Sequence, residues 1–106
     1  MPKYVLVYHG SPRFETKEAG ENHMVQWRSW SQGLGDALID PGMPVGPSMT
    51  VLSDGSVSEG GGANPAVGIT ILEAPSMSEA ITMVQGCPHL SAGGTIEVAE
   101  AMNIEM

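Results

Sequence analysis

The sequence has no basic residue after Arg28. Four Lys and Arg stand against twelve Asp and Glu, which gives the chain a net charge of −8. Nucleic acids and anionic lipid surfaces are bound through clusters of Lys and Arg, and no such cluster can form in the later part of this chain. We therefore expect neither a nucleic acid nor a membrane as a partner.

Cysteine and long apolar runs are scarce as well. Cys87 is the single cysteine, so the chain can form no internal disulfide, and a lone cysteine before a proline is typical of a small buried apolar residue. The longest apolar runs, such as residues 67–72, fall far short of the roughly 18 to 20 residues needed to cross a bilayer. The first residues also lack the apolar core of a signal peptide. These absences predict a cytoplasmic protein.

The length and composition are those of one folded domain spanning residues 1–106. Hydrophobic residues make up 42% of the chain and charged residues 15%, well away from the balance of disordered proteins. The chain is long enough for one hydrophobic core and too short for two.

Hydrophobic periodicity predicts the first two elements. Lys3–His9 alternates and is rich in β-formers, as in a strand. Residues 13–20 read as a polar loop, and a helix is expected from a cap near Asn22 to Leu38. Asp40-Pro41-Gly42 is then expected to end that helix, because proline cannot continue it and glycine permits the turn.

The rest of the chain predicts three further strands and a second helix. Residues 49–53 read as a short strand followed by a turn at Asp54-Gly55, and residues 67–74 as a buried central strand. Ser76 and Glu79 have the spacing of a capping box that opens a helix, and residues 95–102 alternate as the last strand. Between these elements, the glycine-rich residues 59–65 are predicted to be a mobile loop, either a lid over a pocket or a simple connector.

The order β-α-β-β-α-β predicts an α+β, ferredoxin-like fold with a four-stranded antiparallel sheet and both helices on one face. The other face would then expose a large apolar patch in a monomer, which soluble proteins seldom tolerate. A second copy covers such a face through a twofold interface, so we expect a homodimer. The alternation of side chains along the first strand leaves open whether Val5 and Val7 or Leu6 and Tyr8 face the partner.

Five segments spread over nearly the whole chain together resemble a known protein family. They are residues 2–8; His23-Met24 with Trp27 and Trp30; Val45-Gly46-Pro47; residues 71–74 with Ser78-Glu79-Ala80; and residues 86–90 with Gly93-Gly94 and Glu97-Val98. In their order and spacing these segments resemble the YCII-related family. The Asp-Gly-Pro-Phe tetrapeptide of one branch of that family is missing, and the glycine-rich segment stands in its approximate place.

The resemblance implies a dimeric α+β barrel with a pocket near the first helix of each protomer. Most members of the family have no assigned reaction, and a few resemble dehydrochlorinases of aromatic degradation. A His-Asp pair has been proposed as their catalytic dyad. His23 matches the histidine of that motif, and either Asp40 or Asp54 is its expected acidic partner.

The candidate site residues each have a plainer alternative. His23 is suited to acid-base chemistry near neutral pH, but a histidine early in a helix is often a surface residue. His9 lies on the same side of the first strand as Val5 and Val7, so it faces a pocket or the dimer interface, or else solvent at the strand end. Trp27 and Trp30 either line an aromatic-substrate pocket or belong to the core. The three histidines lack the spacing of metal ligands, and no motif supplies a haem ligand, so we expect no cofactor.

Two functions follow from these expectations. The first is a small metal-free enzyme of the isomerase, lyase or dehydrochlorinase type, in which His23 moves a proton of a small organic acid and an aspartate orients it. The alternative is a non-catalytic homodimer that binds a small ligand or serves a structural role. A carboxylate within about 3.2 Å of a His23 nitrogen, facing a cavity, would favour the enzyme.

Overall fold

The strand at the start of the chain becomes a central strand of the sheet. In the computed structural model, which describes residues 1–10 and 13–102, β1 is Lys3–His9, as predicted. Its two neighbours, both antiparallel to it, are β5 (Ala66–Glu73) and β6 (Thr95–Glu100). The edge strand β2 (Leu38–Pro44) pairs with β5, so the four-stranded antiparallel sheet has the order β2-β5-β1-β6.

Helices cover one face of this sheet and make the structure an α+β fold. They are α1 (Lys17–Leu34), α2 (Met77–Val84) and the short α3 (Pro88–Ser91). The long helix packs Trp27 and Trp30 against the core, and α2 contributes Ala80 and Val84. None of the described helices is long and apolar enough to cross a membrane.

Alternation along β1 divides its side chains between the two faces. Tyr4, Leu6 and Tyr8 are 1%, 0% and 5% exposed and belong to the core beneath the helices. Full burial of one such side chain stabilises the fold by about 1.5–3 kcal/mol. Val5 and Val7 are only half-buried and lie on the opposite face. The β1 side chains on the face without helices therefore include Val5 and Val7.

The first helix begins and ends earlier than its hydrophobic stripe predicts. The hydroxyl of Thr16 accepts a hydrogen bond from the backbone N–H of Ala19 at 3.0 Å, so the helix begins at Lys17 and the expected loop over residues 13–20 is half helical. It ends at Leu34, where Gly35 follows with φ of +56°. The expectation that it reaches Leu38 was wrong, because that residue opens β2 after one 3₁₀ turn.

Asp40-Pro41-Gly42 lies inside β2 and does not form the predicted helix-ending turn. The register of β2 against β5 shifts on both sides of Asp40, so the strand bulges there. A proline is tolerated at this place because a residue at a bulge or on the outer side of an edge strand need not donate an N–H to a neighbouring strand. Gly42 has φ of +67°, and a Cβ on it would collide with the carbonyl of Ile69. The Asp40 carboxylate accepts the Gly42 N–H at 2.8 Å and closes the bend.

The predicted second strand is real but does not join the main sheet. Met49–Val51 forms β3 and Val57–Glu59 forms β4, and these two pair only with each other. The turn at Asp54-Gly55 is confirmed, since the N–H of Gly55 donates to the carbonyl of Leu52 at 2.8 Å. The chain therefore inserts a hairpin between two strands of the sheet.

Two further expectations concern loops and caps. The cap of α2 is confirmed, because the Ser76 hydroxyl accepts the Glu79 N–H at 3.2 Å. The glycine-rich residues 59–65 link β4 to β5, and Gly60 donates its N–H to the Ser48 carbonyl at 3.0 Å. Mobility of this segment stays a prediction.

Two glycine-to-alanine variants test the strained position in β2. Gly42→Ala should destabilise the protein by about 1–3 kcal/mol, because alanine disfavours the left-handed backbone and its Cβ meets the Ile69 carbonyl. Gly33→Ala is the control, since open space surrounds that position in α1 and alanine should raise stability by up to about 1 kcal/mol. Urea unfolding of both variants gives the two values. Equal stabilities would contradict the bulged strand.

Candidate functional site

A cavity of about 710 Å³ lies between α1 and the β2–β5 edge of the sheet. Residues of α1 at near-helical spacing line one side of this cavity: His23, Met24, Trp27, Arg28, Ser31 and Gln32. The sheet contributes the bulged residues 41–44 of β2 and residues 67–70 of β5. Tyr8, Gly10 and His89 complete the lining. Concave sites of this size, with a few polar groups among apolar walls, are the usual places for small ligands.

Two consecutive hydrogen bonds connect the three strands under the cavity. The hydroxyl of Tyr8 donates to Thr70 Oγ1 at 2.9 Å, and Thr70 Oγ1 donates to the Pro41 carbonyl at 3.0 Å. Burial raises the pKa of Tyr8 to about 12, so the phenol stays protonated and remains a donor. The bulge of β2 is thereby tied to β1 and β5, which holds one wall of the cavity in place.

His23 is held by Trp27, one helical turn further along α1. The indole Nε1–H donates to His23 Nε2 at 2.7 Å. Because an indole N–H can only donate, His23 Nε2 carries no proton, and the neutral ring has its proton on Nδ1. Burial lowers the pKa of His23, and the nearby His89 lowers it further. His23 is therefore a neutral imidazole at neutral pH.

His89 lies in the same cavity wall, although the sequence offered no sign of it. It is buried, and its Nε2 lies 2.7 Å from the carbonyl of His9, an oxygen that can only accept. Its ring meets Tyr8 edge to face, with centroids 5.3 Å apart. A Cβ at Gly94 would overlap the imidazole, so only glycine leaves room for this ring. The end of β1 and the start of α3 bring His89 to the cavity. No residue spacing in the sequence predicts its contact with His9.

Neither aspartate expected to pair with His23 reaches it. Asp40 binds the backbone of Gly42. Asp54 accepts hydrogen bonds from the hydroxyl and the N–H of Ser56 in the turn of the hairpin, and these bonds lower its pKa. Among the described residues, ion pairs join His9 to Glu97 and Lys17 to Glu21, and none involves His23. The structure therefore does not bring His23 together with Asp40 or Asp54.

The other sequence candidates divide between the cavity and the core. Trp27 lines the cavity and meets Tyr8 edge to face at 5.3 Å. Trp30 packs against the core instead, and its Nε1–H donates to the Met83 carbonyl at 3.0 Å. His9 lies outside the cavity lining, with Nδ1 2.9 Å from the Asn64 carbonyl.

Cys87 has the character predicted for it. Its side chain belongs to the hydrophobic core, and burial raises its pKa to about 11. A thiol with so high a pKa is almost never a thiolate at neutral pH, so it is a poor nucleophile. In the part of the chain that the structure describes, no three His, Cys, Asp or Glu side chains converge as metal ligands.

Comparison of the sequence with known protein families and with curated protein sequences finds no match.

Acid titration of tryptophan fluorescence tests the His23–Trp27 contact. In Trp30→Phe, Trp27 is the single tryptophan, and protonation of His23 removes its acceptor and places a quenching imidazolium beside the indole. Emission should fall on acidification, with a midpoint below the ordinary histidine pKa of about 6.5, since burial lowers the pKa of His23. The double variant Trp30→Phe/His23→Gln should lack this transition. Its persistence there would show that another group causes it.

Proposed function

We propose that this protein is a homodimeric, small-molecule-binding protein of the YCII-related type, with its ligand in the cavity between α1 and the bulged strand β2. The cavity itself is the observation that carries the proposal. Its size of about 710 Å³ suits a small organic molecule, and aromatic and aliphatic side chains form most of its wall. The hydrogen bonds from Tyr8 through Thr70 to Pro41 hold part of that wall in place before any ligand arrives. A preformed wall lowers the entropic cost of binding.

Binding without catalysis fits the surroundings of His23 best. A general base needs a free nitrogen within hydrogen-bond reach of the substrate, and usually a third group that orients its ring. Here Nε2 already accepts the Trp27 N–H, and within residues 1–10 and 13–102 no carboxylate forms an ion pair with the ring. These contacts describe a histidine that positions Trp27 in the wall of a binding site.

One observation favours acid-base catalysis as a second candidate. His23 lines the cavity, and its lowered pKa keeps the imidazole neutral and able to take up a proton near neutral pH. A ligand that replaced the Trp27 N–H at Nε2 would bring its own proton to that nitrogen. An isomerase, lyase or dehydrochlorinase reaction on a small organic acid would use such a step.

The order of the strands supports the ferredoxin-like part of the proposal. The sheet order β2-β5-β1-β6 places the first and third strands of the sheet, in chain order, at its centre. A helix follows the first strand and another follows the third, as in the split βαβ arrangement. The hairpin of β3 and β4 is then an insertion between the second and third strands of that arrangement.

The uncovered face of the sheet supports the dimer. The centre of that face is apolar: Val5 lies opposite Ile71 and Ala99, and Val7 lies between Ile69 and the charged Glu97. Ile69 is 40% exposed. Contiguous apolar surface of this kind usually marks an interface, and a twofold axis lets two identical faces cover each other. Apart from the resemblance, this face is the main support for a homodimer.

The hairpin adds a second uncovered apolar surface. Val51 and Val57 form a cross-strand pair and are 70% and 59% exposed, whereas their neighbours Thr50 and Ser58 point to the other, polar side. A two-stranded hairpin is at best marginally stable alone, so this surface gains from a partner.

Two charge insertions test the dimer. Val5→Glu should give a folded monomer, because a carboxylate at the centre of the uncovered sheet face would be buried without a partner. Ile81→Glu should leave the dimer intact, since it makes the same chemical change on an exposed position of α2, in the layer on the other side of the sheet. Light scattering gives the mass and circular dichroism checks the fold. A monomeric parent protein, or a dimeric Val5→Glu, would contradict the proposed interface.

Thermal stabilisation by a panel of small organic acids, amides and lactones tests ligand binding. A ligand at 100 times its dissociation constant adds about 2.7 kcal/mol to stability. Ser31→Trp should fill the cavity and abolish the stabilisation, whereas Ser29→Trp, on the same helix but outside this cavity, should preserve it. Equal responses of the two variants would place the ligand elsewhere.

Turnover separates the two candidate functions. For any compound that binds, product formation is followed by NMR with the parent protein and with His23→Gln. A binding protein returns the compound unchanged in both cases. Turnover that His23→Gln abolishes, with binding retained, would instead favour the acid-base reaction.

A further inference from the structure

The cavity wall differs in charge from the rest of the molecule. Twelve Asp and Glu stand against four Lys and Arg in a chain of charge −8, yet none of the acidic residues that the structure describes lines this cavity. Arg28 is the side chain of its wall that carries a permanent charge, and a guanidinium attracts anions. The site is therefore a positive spot on a strongly negative protein.

Nothing in the described chain neutralises Arg28. The ion pairs found there join His9 to Glu97 and Lys17 to Glu21, so the guanidinium has no carboxylate partner. Local sequence explains this, because the neighbours of Arg28 at helical spacing are Met24, Val25, Ser31 and Gln32, and none is acidic. An arginine that pairs with no described carboxylate, at the wall of a cavity, is available to an anion from solution.

The remaining wall limits what that anion is. One fixed charge balances a single negative charge, and the net charge of the protein repels polyanions. A guanidinium binds a carboxylate through two parallel hydrogen bonds, which gives both affinity and orientation. Trp27 and Met24 of α1 provide apolar surface for the rest of the ligand.

We infer that the ligand is a small monocarboxylic acid whose carboxylate binds Arg28 and whose apolar body packs against Trp27. This inference rests on the proposed function, that the cavity binds a small molecule. It adds a residue that selects the ligand by charge. Ser31 and Gln32, beside Arg28 on the same helix and in the same wall, supply further hydrogen-bonding groups at that end.

Matched acids and amides test the inference. Calorimetry or NMR titration compares benzoate with benzamide, phenylacetate with phenylacetamide, and hexanoate with hexanamide. Each pair has nearly the same shape and differs in charge. The parent protein should bind the best acid at least tenfold more tightly than its amide. Raising the salt concentration should weaken binding of the acid and leave that of the amide unchanged.

Two arginine variants separate a direct contact from a general effect of charge. Arg28→Gln should lower the affinity for the acid at least tenfold and leave the affinity for the amide unchanged within about twofold. Arg13→Gln removes the same charge from an exposed position that does not line this cavity, so it should bind the acid almost as well as the parent protein.

The contrary outcomes are distinct. If neutral compounds of the panel bind and no carboxylate is preferred, or if Arg28→Gln weakens acids and amides alike, the inference is overturned and the proposed ligand site stands. Equal losses of affinity for the acid in Arg28→Gln and Arg13→Gln would also overturn it, because both losses would then reflect only the overall electrostatic field of the protein. If nothing stabilises the protein or binds, the inference and the proposed function both fall.

Discussion

The hydrogen bonds from Tyr8 to Thr70 and from Thr70 to Pro41 connect the core of this protein with its cavity. Tyr8 ends the buried row of β1 and contacts Trp27 and His89 through its ring. Its hydroxyl reaches Thr70 in the next strand, which in turn holds the bulge of the edge strand. Buried polar groups of this kind are costly when they lose a partner. The shape of the cavity wall is therefore linked to the packing of the core.

Sequence patterns predicted the elements correctly where a segment contacts the core along its whole length. The ends of β1 were predicted correctly, and Ser76 caps α2 as expected, because alternation and capping are local properties. The edge strand β2 was missed, since Asp40-Pro41-Gly42 has the composition of a turn. In the folded protein, pairing with β5 and the contact between Gly42 and Ile69 turn that composition into a bulge. Tertiary contacts outweighed local preference there.

The candidate site could be predicted only in part for a similar reason. His23 and Trp27 lie one turn apart on one helix, so sequence spacing places them together. The contribution of His89 depends on a contact 80 residues away in the chain, with the carbonyl of His9. Arg28 stands out only when the structure shows that no described carboxylate lines the cavity. A pairing of His23 with an aspartate is equally nonlocal, and the local hydrogen bonds of Asp40 and Asp54 engage both carboxylates elsewhere.

The two tryptophans provide the most direct test of the ligand site. Their indole N–H groups give two separate NMR signals: Trp27 lines the cavity, whereas Trp30 packs against the core and donates to the Met83 carbonyl. Titration with phenylacetate should shift the Trp27 indole signal progressively and leave the Trp30 signal in place. A shift of Trp30 alone, or saturable binding that moves neither signal, would contradict the assignment of this cavity as the ligand site.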